Sequence, residues 1–382
     1  MDMPRQPVCA LTEQASAHLD MVRGLAAFAV LYSHWRSIFF VDWPQVMHRS
    51  ALTSVLYGLA KFGHQAVVVF FVLSGLLIGR SVLKDIATGK WSEKRYALHR
   101  FIRLEIVLVP AVFLCFFWDG MGQHLFPQSA IYLGTSGIPV IEYRVSSWIT
   151  PHIFIGNLLF LQTIVVPPFG SDNPLWSLAS EFWYYVLFPC LAIFFTSTFT
   201  FKRRMISGIC FVVVALFIGN WMFEGFFIWL LGVALVYSPV PKFRTLQHYW
   251  TLLAVSALAM LGILLISITT AYPTTHAIFD HILGFFVAFF FYALLHSPLP
   301  IGQMYKTAAR QISGFSYTLY LAHMPFLVFC AALLNRRSQP SVGRFIVPLG
   351  ILFLTVVYSY CLAVLFEHNT NRVRKYLEVR FR

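Results

Sequence analysis

Charged side chains are scarce in this sequence. Asp, Glu, Lys and Arg together make up 11% of its 382 residues, against 58% hydrophobic residues and a mean hydropathy of +0.71. No soluble domain of this size carries so little charge on its surface, so the composition predicts an all-α polytopic membrane protein. Acidic residues are rarer still, 15 against 28 basic ones, leaving a formal charge of +13. The cations fall in short loops between apolar runs, where membrane topology accounts for them, and nucleic acid is not expected as a partner. The six cysteines are scattered, with neither CxxC nor Cys/His ligand spacing, which argues against disulfides and against a metal site. Residues 1–20 carry Arg5, Glu13 and Asp20 but no apolar core of a cleavable signal, so the first helix is expected to act as its own insertion signal. Repeats and low-complexity segments are also missing. The longest loops, 41–63, 81–102 and 119–174, are too short for an independent catalytic domain. Any chemistry must therefore use the membrane helices and their ends, in one membrane-embedded domain over 1–382 with short tails at 1–20 and 368–382.

What is present is a series of apolar runs. They predict about ten transmembrane helices, near 22–40, 64–80, 103–118, 175–196, 205–222, 225–240, 249–269, 278–295, 316–334 and 346–366. An eleventh stretch, HIFIGNLLFLQTIVV at 152–166, is shorter and is followed by two prolines, and reads as an interfacial or re-entrant helix. With ten spans and both termini cytoplasmic, most of the 28 basic residues fall on one side: Arg5, Arg23, the cluster from Arg80 to Arg103, Lys202–Arg204, Lys242, Arg244, Lys306, Arg310 and the basic tail. Making 152–166 a full span would move Lys202–Arg204 outside and spoil that bias.

Ionisable residues inside apolar helices are costly and mark working sites. The first run, MVRGLAAFAVLYSHWRSIFF, holds Arg23 and His34, eleven residues apart. Eleven helical steps return to within roughly 20° of the starting direction and rise about 16 Å, so both lie on one face. A snorkelling anchor would equally explain Arg23. His34 needs polar partners in an apolar surrounding, and as a neutral base it is suited to take a proton from a hydroxyl. Arg100 and Arg103, three apart before the third span, suit a phosphate clamp, with positive-inside bias or lipid contact as the plainer reading. NPLWSLASEFWYYVLFP places Glu181 among Trp176, Trp183, Tyr184 and Tyr185. The carboxylate should pair with a His or Arg or bond a substrate, while an interfacial aromatic belt accounts for the rings. SGFSYTLYLAHMPFL sets Ser316, Tyr320 and His323 near one helix face as a polar stripe, and a histidine bridging two helices is the structural alternative. Ser74 and Gly75 in FFVLSGLLIGR read as close helix packing first.

Taken in order, these stretches resemble the acyltransferase-3 family of integral membrane proteins, over nearly the whole chain. HLDMVRGLAAFAVLYSHW resembles the family's opening, with Arg23 and His34 on its Arg-x10-His motif. FFVLSGLLIGR resembles its second-helix segment and HRFIRLEIVLVP its Arg-x-x-Arg motif. LWSLASEFWYYVLFP resembles the Trp-Ser-Leu-x-x-Glu segment, and SYTLYLAHMP the Ser-Tyr-x-x-Tyr-Leu-x-His-x-Pro segment. The last helix ends FEHN, with Glu367, where many relatives have Glu-Arg, and the soluble esterase-like domain of some relatives is absent. The resemblance implies transfer of an acyl group, acetyl above all, from cytoplasmic acyl-CoA to a hydroxyl of an extracytoplasmic saccharide or glycolipid. It places the protein in a bacterial inner membrane among its lipids, and says nothing of oligomeric state. The candidate catalytic residues are His34, Glu181 and His323, with His34 either a general base toward the acceptor hydroxyl or a transient carrier of the acyl group. Arg23, Arg100 and Arg103 are the candidate donor-binding residues. Asp20, Ser74, Trp176, Ser316 and Tyr320 line the site. Acyl-CoA is expected as a substrate, with no tightly bound cofactor. A solute transporter and a non-catalytic assembly factor for a polysaccharide pathway are the rival readings.

Overall fold

A computed structural model of the chain describes residues 11–241, 245–269, 276–335 and 337–380. Among the basic residues of the expected inner face, Arg5, Lys242, Arg244 and Arg382 lie outside these. Apolar sequence without water forces backbone groups to pair within each segment, which favours helices. Fourteen α-helices are found among the described residues. They are α1 (Glu13–Phe39), α2 (Ala51–Leu59), α3 (Gly63–Ala87), α4 (Glu93–Leu125), α5 (Ala130–Leu133), α6 (Pro151–Leu158), α7 (Leu175–Phe195), α8 (Phe201–Ala234), α9 (Leu246–Thr269), α10 (His276–Leu295), α11 (Gln303–Ser313), α12 (Ser316–Leu334), α13 (Val342–Leu365) and α14 (Thr370–Arg380). No strand forms among the described residues, only isolated bridges such as Phe40 with Ser338.

Among the described residues, eight helical runs are long and apolar enough to cross a membrane. Two differences from the ten expected spans have plain causes. The spans expected at 205–222 and 225–240 are two helical segments joined without a loop in α8, and the kink between them falls at Gly219, where φ is +75° and ψ is 168°, rather than at 222–225. A left-handed φ of this kind is open to glycine at little cost. α1 has 27 residues, about 40 Å at the helical rise, but Arg23, His34 and Arg36 dilute its apolar character. The stretch expected as interfacial or re-entrant at 152–166 forms the eight-residue α6. That is about 12 Å of helix, far short of a roughly 30 Å hydrocarbon layer. The chain then turns through Phe160 (φ 57°) and Thr163 (φ 66°).

The chain divides into two compact units. The first contains residues 1–23, 65–96 and 180–312. In it α3 crosses α8 closely enough that a Cβ on Gly75 would collide with the Trp229 carbonyl, and one on Gly232 with the Val72 carbonyl. This is the packing use of small residues expected for Ser74-Gly75. α10 packs against α8 and α9. The second unit contains 24–64, 97–179 and 313–382. Pairs of side chains fix its helix directions. Phe28 meets Phe315 and His34 meets His323, so α1 and α12 run parallel. Tyr317 donates to the Leu104 carbonyl and Trp118 packs on Phe326, so α4 runs with them. α13 runs the other way: Trp35 Nε1 donates to the Pro348 carbonyl at 2.7 Å, while the α13 end reaches the start of α12 through Glu367. Large apolar side chains such as Leu216, Leu258 and Phe353 stay more than two-thirds exposed. Such surfaces suit lipid rather than water.

Candidate active site

The second unit brings two of the sequence-selected residues into contact. His34 Nδ1 lies 2.8 Å from His323 Nε2, with the ring planes 11° apart. His323 Nδ1 lies 2.8 Å from the carbonyl of Leu319, one turn earlier in α12. A carbonyl only accepts, so a neutral His323 carries its proton on Nδ1 and leaves Nε2 as an acceptor. His34 must then donate from Nδ1, which leaves His34 Nε2 with a bare lone pair. The chain of bonds from Leu319 through His323 thus sets one tautomer of His34. His323 is fully buried, at 0% exposure, whereas His34 keeps part of its surface exposed. Of the two rings, His34 is the one open to a reactant.

Five residues before His323 on α12, a second polar assembly holds Arg103. Its Nη2 donates to Glu367 Oε1 at 2.8 Å, and its guanidinium lies over the Tyr317 ring, 5.1 Å from the centroid. Glu367 Oε2 accepts from the Thr318 backbone N–H at 3.1 Å and from Thr318 Oγ1 at 2.8 Å. Thr318 and His323 are separated by about 7.5 Å along the α12 axis, so one helix supports both the arginine and the histidine pair. Arg100 lies one turn before Arg103 on α4 and is partly buried.

The remaining candidates have local partners. Tyr320 Oη lies 2.7 Å from Ser177 Oγ, and its ring centroid is 6.3 Å from that of His323. Ser316 Oγ donates to the Ser313 carbonyl at 2.8 Å. The stripe expected from Ser316, Tyr320 and His323 is therefore divided among separate partners. Trp176 stacks against His64, centroids 6.4 Å apart. In the first unit Arg23 forms an ion pair with Asp20 one turn earlier, at 2.7 Å. Also in that unit, Glu181 accepts from Ser74 Oγ at 2.8 Å and from the Tyr185 hydroxyl, while Trp229 Nε1 donates to Ser74 Oγ at 3.2 Å. Ser74 is thus a hydrogen-bonding partner of Glu181 as well as a small packing residue.

The family model for acyltransferase 3, described as an acyltransferase domain, matches residues 16–368. The chain belongs to the acyltransferase-3 family. Its chemistry is acyl transfer, and with eight helical runs among the described residues long and apolar enough to cross a bilayer it is an integral membrane protein. No curated protein and no solved structure gives a match. Every candidate residue named above lies within the matched stretch, Glu367 included.

This acyltransferase also has a buried polar cluster that the sequence reading missed. Asp119, near the end of α4, accepts from Ser171 N–H and Ser171 Oγ, both at 2.7 Å, and from Cys115 Sγ at 3.3 Å. The next residue, Asp172, is fully buried, and its carboxylate oxygens have no hydrogen-bond partner among the described protein groups. Burial, with the Asp119 charge behind it, pushes the Asp172 carboxyl well above the usual carboxylate range. No periodicity links residue 119 to residue 171. The only signal was two acids in otherwise acid-poor stretches.

Proposed function

We propose that this acyltransferase moves an acyl group, acetyl in the simplest case, from cytoplasmic acyl-CoA to a hydroxyl of a saccharide or glycolipid on the far side of a bacterial inner membrane. The observation that carries the reading is the bare Nε2 of His34, fixed by the His323 and Leu319 chain. In this mechanism His34 Nε2 takes the proton of the acceptor hydroxyl as its oxygen attacks the thioester carbonyl. The tetrahedral intermediate collapses by breaking the C–S bond, and the proton passes from His34 to the departing thiolate. The products are the ester and free CoA thiol. His323 is the positioning residue, since it holds the imidazole of His34 without touching the reactants. Arg103 and Arg100 of the second unit bind the donor phosphates, for which planar guanidinium groups are suited. Trp176, Ser316 and Tyr320 of the second unit are the site-lining residues, and in the first unit Glu181 and Ser74 act as a hydrogen-bonded pair.

The test is thiol release by purified protein given acetyl-CoA and a hydroxyl acceptor. The wild type is expected to release CoA thiol in step with ester formed. Positioned acid–base groups contribute about 10²–10⁴-fold, so His34→Ala should lose at least about a hundredfold while remaining folded in membranes. Wild-type rates in that variant would overturn the role of His34. Uptake of solute without thiol release would favour a transporter.

A further inference from the structure

Among the buried polar groups that the proposed transfer leaves unused is Glu367, whose carboxylate joins two helices. Its side chain is 5% exposed, against 35% for its partner Arg103. It takes three donors from two helices: Arg103 Nη2 of α4 on one oxygen, and the N–H and hydroxyl of Thr318 in the first turn of α12 on the other. A cap alone would need only the second oxygen. The first is committed to the guanidinium, whose face is covered by Tyr317, and Tyr317 is in turn tied to α4 through the Leu104 carbonyl at 3.0 Å. The plane of Arg103 is thereby held along its edge by Glu367 and across its face by Tyr317. An arginine held in this way loses little rotamer freedom when it meets an anion. Buried carboxylates survive only when fully paired, and this one is paired by groups that also define where Arg103 sits relative to α12.

We propose that Glu367 is a positioning residue for donor binding: it fixes the Arg103 guanidinium against the start of α12 so that Arg103 meets the phosphates of the acyl-CoA donor in one geometry. The inference rests on the reading of Arg103 as a donor-phosphate ligand. It makes Glu367 specific for the phosphate-bearing part of the donor, with no part in the thioester chemistry at His34.

The experiment compares acetyl-CoA with acetylpantetheine, which carries the thioester but no phosphates, in wild type, Glu367→Gln, Arg103→Ala and the double variant. Glu367→Gln is expected to raise the KM for acetyl-CoA about tenfold, to leave kcat within about twofold, and to leave the KM for acetylpantetheine unchanged. In the Arg103→Ala background it is expected to add nothing, because interacting residues are not additive. An unchanged acetyl-CoA KM in Glu367→Gln, with a raised one in Arg103→Ala, overturns the positioning role and leaves Arg103 as a phosphate ligand. Equal losses with both donors overturn it too, since they mark a cap that serves only the fold. An unchanged KM in Arg103→Ala overturns the phosphate reading and this inference together. Should Glu367→Gln fail to accumulate in the membrane, Glu367→Asp replaces it in the same cycle. A shift in acetyl-CoA KM that vanishes without Arg103 supports the proposal, and no shift, or one that persists, overturns it.

Discussion

At the scale of single residues, the proposed role of His34 depends on which of its nitrogens carries a proton. The Leu319 carbonyl decides it at one remove, through His323. Replacing His323 with Ala removes the group that orients His34 but leaves the base itself. It is therefore expected to lower kcat by about one to two orders of magnitude with the acyl-CoA KM unchanged, a smaller loss than for His34→Ala; steady-state kinetics in detergent checks it. Equal losses in the two variants would make the rings one catalytic unit rather than base and support. Asp172 gives a prediction of the opposite kind. Burial raises its carboxyl pKa well above the ordinary carboxylate value of about 3.9, so above that value the folded state binds more protons than the unfolded one and stability falls as pH rises toward the folded pKa. Asp172→Asn removes the linkage. It is expected to raise the melting temperature at pH 7 and to have little effect at about pH 4 and below, measured by thermal unfolding in detergent.

Among helices, α12 organises the second unit, because its first turn meets Glu367 and Arg103 and its second and third turns carry Tyr320 and His323. Much of this element was legible in SYTLYLAHMP, where an ionisable residue in an apolar run must find polar company. Its partners were not. His34 and His323 are 289 residues apart in sequence, and Arg103 and Glu367 are 264 apart, and no helical period reaches across such distances. Local signals fared better where the cause was local. The eleven-residue spacing of Arg23 and His34 follows from one unbroken α1, and the Ser74-Gly75 pair predicted a close helix contact that α3 and α8 make. The break expected between the spans 205–222 and 225–240 falls a few residues earlier, at Gly219, because a single glycine in an apolar run does not announce its φ. Gly75→Leu would drive a side chain into the α8 backbone, where overpacking costs about 1–3 kcal/mol or more. It is expected to cut accumulation in membranes severely, whereas Gly262→Leu, with open space around it, is expected to accumulate as wild type; immunoblotting of membrane fractions distinguishes them.

For the whole molecule, scarcity of charge and abundance of apolar helix establish the membrane setting, and the match over 16–368 establishes acyl transfer. The fold class was readable from composition because a hydrocarbon environment leaves the backbone few alternatives to helix. In the proposed reaction the donor and the hydroxyl acceptor meet at His34. Mass spectrometry of surface glycans and glycolipids from cells expressing the wild-type chain, His34→Ala or neither tests that claim most directly. An ester-linked acyl group on a saccharide hydroxyl is expected only with the wild-type chain. The same acylated species in cells carrying His34→Ala, at wild-type abundance, would contradict it.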